Sequence, residues 1–174
     1  MKKMSGAGRK VLKIIHLYLA ALWLGGAVTL NLMIFALGPA TSGEQLFGYD
    51  LARKFVDYFI IIPGALGCLV SGLLISGLTP WGFFKHRWVT LKLILTVLCI
   101  LFGTFILGPF LDTQPLISEK IGLDALTNPN YLANIKGNLL GGLVQLAAMF
   151  FMTAISVIKP WPKKLKSPNQ QLSP

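Results

Sequence analysis

Long apolar runs, closed at their ends by basic or turn-forming residues, dominate the chain. Four of them reach the roughly 20 helical residues that cross a hydrocarbon core of about 30 Å: Val11 to Leu37, Phe59 to Thr79, Trp88 to Gly108 and Leu139 to Ile158. Backbone in lipid must satisfy its own hydrogen bonds, and runs of this length do so as helices. The pattern therefore predicts an all-α integral membrane four-helix bundle over residues 1–160. A basic, proline-containing tail, 161–174, follows and is expected to be disordered. The first run is too long for a secretory signal and lacks a small-residue cleavage site, so it reads as an uncleaved anchor.

Polar residues inside such runs are costly unless satisfied, and they carry the most information. On the first helix Lys13, His16, Ala20, Trp23, Ala27 and Leu30 recur at three or four residues and share a face. On the third, Trp88, Lys92, Thr96, Cys99 and Gly103 do the same. By the helical rise His16 lies about 8 Å and Lys92 about 6 Å inside the same membrane boundary. The fourth helix aligns Asn138, Gly142, Gln145, Met149, Met152 and Ser156, and the second offers Gly64, Cys68, Ser71 and Gly72, with Pro63 predicted to bend its outer end. Small residues permit close helix approach, so these faces are expected to line the bundle interior.

Charge adds a direction. Eleven basic residues flank one side (Lys2, Lys3, Arg9, Lys10, Lys13, Lys85, Arg87, Lys159, Lys163, Lys164 and Lys166). The other side has Arg53, Lys54, Lys120 and Lys136 together with all six acids. The positive-inside rule then predicts both termini in the cytoplasm, as expected of a multi-pass protein of a bacterial inner membrane. The segment from Pro109 to Lys136, interrupted by Pro115, Gly122 and Pro129, reads as a long outer loop with an amphipathic piece near Leu116 to Leu126 lying on the membrane surface. The net charge of +10 sits at the ends of apolar runs, with no basic, aromatic-rich stripe. It points to anionic lipid headgroups and away from nucleic acid.

Composition closes off soluble chemistry: 54% of residues are hydrophobic and 13% charged. There is no phosphate-binding glycine loop, Cys-x-x-Cys or His-Glu-x-x-His. Cys68 and Cys99 lie in apolar runs and read as packing. Trp81, Trp88 and Trp161 read as interfacial anchors, and His86, between Lys85 and Arg87, as a solvated residue. Two readings of the intramembrane groups stay open. Lys92 either snorkels to the headgroups or meets an anion inside, and His16 is either a hydrogen-bonded neutral imidazole or a ligand. The competing function is transport, with copper as a candidate cargo for imidazole and thioether donors, or an accessory or assembly role without a cofactor. Met149 and Met152 at this spacing are more often plain packing, and the predicted spans hold no acid of the kind proton-driven transporters commonly use.

The arrangement Lys13-x-x-His16-x6-Trp23-x-x-Gly26, with Trp88-x-x-x-Lys92-Leu93 on the third helix, resembles the HemJ-type protoporphyrinogen oxidases and the wider group that includes CopD-like membrane domains. The resemblance covers two of the four spans. It implies haem b or a porphyrin near the cytoplasmic side, with His16 as iron ligand. Lys92 and Lys13 would be cofactor contacts, Trp23 would flank the macrocycle, and the role would be redox, with a membrane redox partner or a second copy. The chain departs from the HemJ pattern at Thr29-Leu30-Asn31-Leu32, where that family carries an arginine, and at Phe102-Gly103, where it carries a histidine. A sister family on the same scaffold is the expected placement.

Overall fold

A computed structural model describes residues 5–79 and 82–161. Lys2, Lys3, Trp81 and almost all of the 161–174 tail lie outside the described residues. The elements are helices α1 (Gly6–Ala36), α2 (Gly43–Val56), α3 (Ile62–Leu78), α4 (Arg87–Phe102), α5 (Gly108–Ile121) and α6 (Pro129–Ile158). Two π-helical turns, Asp57–Ile61 and Gly103–Leu107, join α2 to α3 and α4 to α5, and a 3₁₀ segment, Gly122–Thr127, follows α5. The result is four long rods, Gly6–Ala36, Gly43–Leu78, Arg87–Thr127 and Pro129–Ile158, each long and apolar enough to cross a membrane. This is the all-helical membrane bundle that the apolar runs predict.

The rods are longer than the runs. The second begins at Gly43 rather than Phe59, the third continues past Gly108, and the fourth begins at Pro129 rather than Leu139. A 36-residue helix spans about 54 Å, well beyond a hydrocarbon core, so the bundle projects from the bilayer at the end opposite its termini. The expected surface loop from Pro109 to Lys136 is instead α5, the 3₁₀ segment and the first turns of α6. The stretch expected to lie on the membrane packs its Gln114, Pro115 and Ser118 face inward. Pro129 acts as a starter at a first-turn position of α6, where the missing N–H costs nothing, while Pro115 lies inside α5. Asn128 Oδ1 caps α6 by accepting from the Asn130 and Tyr131 N–H groups (3.0 and 3.2 Å).

Both π turns have one local cause. Pro63 and Pro109 lack the N–H that would bond the carbonyl four residues back, and in each case the residue before the proline donates one residue further back, to the fifth carbonyl. Ile62 N–H bonds the Asp57 carbonyl and Gly108 N–H bonds that of Gly103. The bend expected at Pro63 is thus a widened turn, repeated at Pro109.

The central core comprises Trp23, Ala27, Ala65, Cys68, Cys99, Leu146, Met149 and Met152. Both cysteines are free and buried. Gly64 sets the contact between α1 and α3, since a Cβ there would lie 2.8 Å from the Trp23 backbone nitrogen. Large side chains such as Leu17, Phe35, Phe59, Val70, Phe105 and Val144 face outward and suit a lipid environment.

Candidate functional site

The rods run alternately up and down. The described part of the amino terminus, the connection before α4 and the end of α6 therefore share one end, with Arg9, Lys10, Lys13, Lys85, Arg87 and Lys159. The six acids occupy the opposite half. At the basic end a cavity of about 280 Å³ opens between α1, α3, α4 and α6. Its lining includes His16, Lys13, Lys92, Lys159, Cys68 and Ser156, and holds no carboxylate. Of the four predicted site residues, His16, Lys92 and Lys13 are brought together here.

The orientation of His16 follows from its neighbours. The Ser71 hydroxyl lies 2.6 Å from the Gly67 carbonyl, which takes its only proton. The 2.8 Å contact between Ser71 Oγ and His16 Nδ1 is therefore an N–H donated by the ring. In that tautomer Nε2 carries the lone pair, with no hydrogen-bond partner among the described residues. Gly72 makes room for the ring, because a Cβ there would meet His16 Cε1 at 3.4 Å. Lys92 Nζ donates to Ser156 Oγ (3.0 Å), and that hydroxyl in turn donates to the Met152 carbonyl (2.6 Å). The ammonium thus bonds across to α6, two residues short of that helix's end.

Trp23 does not join them. It is 3% exposed, two turns deeper, and lines a second chamber of about 340 Å³ with Asp57, Ala65, Cys99, Gly103 and Gln145. Its role as a flank of a group bound at His16 is not supported by this position. Met149 and Met152 are core residues, and the Thr96 hydroxyl is 3.5 Å from the Met152 sulfur. Among the described residues no three His, Cys, Asp or Glu side chains gather where they could hold a metal ion.

A buried polar cluster at the acidic end was not visible in the sequence. Asp50 accepts hydrogen bonds from Ser118 (2.7 Å) and Tyr131 (3.1 Å to each carboxylate oxygen). One turn on, Arg53 donates to Gln114 and to Asn138 Oδ1 (3.0 Å). Asn138 passes the chain on to the Leu107 carbonyl (3.3 Å). All six side chains are at most 4% exposed. Their signal was the spacing of Asp50 to Arg53 and of Gln114 to Ser118, three and four residues apart, which puts each pair on one helical face. Read as loop residues, they had no face to share. At the surface, Lys54 and Asp112 form an ion pair of 2.9 Å.

Neither the curated proteins nor the solved structures contain a match to this chain. Residues 10–160, which take in all four rods and both ends of the bundle, match one family model, and the chain accordingly belongs to the family described as "Predicted integral membrane protein (DUF2269)".

Proposed function

We propose that the protein binds an anionic, amphipathic tetrapyrrole of the haem b class at the basic end, with His16 as nitrogen donor and Lys92 and Lys13 facing its carboxylates. The observation that carries this reading is the fixed imidazole. Ser71 holds Nδ1 and leaves Nε2 as the lone-pair nitrogen in a cavity lined by lysines and without an acid. A second residue that fixes the tautomer of a ligating histidine is a regular feature of such sites. When bound, such a group would supply one-electron chemistry. The chain's own residues would orient it, neutralise its carboxylates and keep water from it. A volume of about 280 Å³ lies just below the usual range of ligand sites, roughly 300–1,000 Å³, so the helices at this end must separate to admit a macrocycle.

Haem added to the protein purified in detergent is expected to give a saturable Soret band, absent in His16→Ala. Lys92→Met should weaken binding about tenfold or more, the value of a charged hydrogen bond. A protein that stays colourless at saturating haem, while eluting as one folded species, overturns the reading.

A further inference from the structure

The second chamber, about 340 Å³, is lined by Trp23 of α1, Asp57, Ile62 and Leu66 of the second rod, Thr104 of the third and Gln145 of α6. Two residues of its lining each carry a buried polar atom with no partner among the described residues: the Trp23 indole Nε1–H, a donor, and Gln145 Oε1, an acceptor. Both side chains are more than nine-tenths buried. An unsatisfied buried polar atom costs about 1–3 kcal/mol, so a chamber that keeps two of opposite kind is matched to something that both accepts and donates.

Water is a poor match for the whole space. At about 30 Å³ per molecule it would need roughly ten waters, against walls that are mostly Ile61, Ile62, Ala65, Leu66 and Ile100. Ile62, Leu66 and Thr104 are also solvent-facing in the isolated chain. The chamber thus reaches the outer face between the second and third rods, where lipid would lie. The two π turns frame this opening, contributing Asp57, Tyr58 and Ile61 on one side and Gly103 and Thr104 on the other. At Gly103 the missing side chain leaves space beside the Gln145 amide, 3.7 Å from where a Cβ would sit. Turns of this kind recur at functional sites because they re-aim side chains without ending the helix.

We infer that this chamber is a lateral binding site for a lipid-soluble quinone or quinol. The indole N–H of Trp23 would donate to a ring carbonyl, Gln145 Oε1 and the Asp57 carboxylate would accept from a ring hydroxyl, and an apolar tail would leave between the rods. This site does not depend on the reading of the basic-end cavity, and its test uses protein without added haem.

The test is isothermal titration of the detergent-purified protein with a decyl-substituted benzoquinone, its reduced quinol, and decylbenzene as an apolar match. Saturable binding of the first two and none of the third is expected. Gln145→Leu, which keeps the volume and removes the acceptor, should weaken quinol binding roughly three- to tenfold with less effect on the quinone. Trp23→Phe should show the opposite preference, and His16→Ala should leave both affinities unchanged. Should Trp23→Phe fail to fold, Gln145→Leu decides alone. Decylbenzene binding as well as the quinone would mean that lipid chains fill the chamber. That result, or Gln145→Leu leaving quinol affinity unaltered, overturns the inference.

Discussion

Replacing Tyr131 by Phe removes one oxygen from the acidic-end cluster and leaves the ring in place. That ring is 1% exposed and packs in a small core with Leu46 and Ala125. The hydroxyl donates to both oxygens of Asp50 at 3.1 Å, and a hydrogen bond to a charged group contributes about 1.5–3 kcal/mol. For a chain of this size that is roughly 3–12 °C in the unfolding midpoint, read by tryptophan fluorescence during heating in detergent. Tyr49→Phe is the uncharged comparison: its hydroxyl donates to the Leu37 carbonyl (3.0 Å) and accepts from the Gln45 amide (2.7 Å), and because water can replace both partners at this half-buried site its loss should cost about 1–1.5 kcal/mol. Ser118→Ala removes the other donor to Asp50, at 2.7 Å, and the double variant should depart from additivity by about 0.5 kcal/mol or more. If Tyr131→Phe is no more harmful than Tyr49→Phe, or if the two losses at Asp50 simply add, the cluster is not the coupled unit described above.

Orientation has a direct readout. A fluorescent protein that matures only in the cytoplasm, fused to the carboxyl terminus, should fluoresce, and a dark but well-expressed fusion would contradict the charge-based direction. Gly142 meets α1 at Asn31, where a Cβ would lie 2.6 Å from Oδ1. Gly142→Ala should therefore cost about 1–3 kcal/mol and be largely restored by Asn31→Ala, while Gly25→Ala, with nothing within 4 Å, should be neutral or mildly stabilising. A Gly142→Ala variant as stable as Gly25→Ala would disprove that close contact.

The membrane-crossing parts of the four rods could be read from the chain because hydrophobic length is a local property, and the inward faces because helical spacing is too. The α6 stripe from Asn138 through Gly142, Gln145 and Met149 to Met152 is buried as spaced, and His16 and Lys92 meet because each face points to the bundle axis. What escaped was the outer third of the bundle. There, Asp50 is buried against the Ser118 and Tyr131 hydroxyls and Arg53 against Gln114 and Asn138, a pattern that hydropathy scores as loop. Pro109, Pro115 and Pro129 look alike in the chain, yet Pro109 follows a widened turn, Pro115 lies inside α5 and Pro129 starts α6, and only the neighbouring helices decide which. The two partnerless atoms of the inner chamber were equally hidden, because a tryptophan and a glutamine reveal nothing of their hydrogen bonds until packing is known.

The two ends of the bundle are built on opposite principles, and this bears on which end can move. At the acidic end, hydrogen bonds accepted by Asp50 and donated by Arg53 tie the second rod to α5 and α6, so separating these helices would strand charges away from water at several kcal/mol. At the basic end, polar contacts between rods beside the cavity include His16 with Ser71 and Lys92 with Ser156, and His16, Lys92 and Ser156 line the cavity itself. A ligand that drew the Lys92 ammonium from Ser156 would leave no charge stranded, and His16 can keep its Ser71 bond while Nε2 meets the guest, whereas nothing comparable is available at the clamped end. Opening for a large anionic guest is therefore cheapest at the basic end, with the acidic cluster as the fixed point about which the rods splay. Tyr131→Phe should loosen the fold without altering affinity at His16, and Lys92→Met should do the reverse.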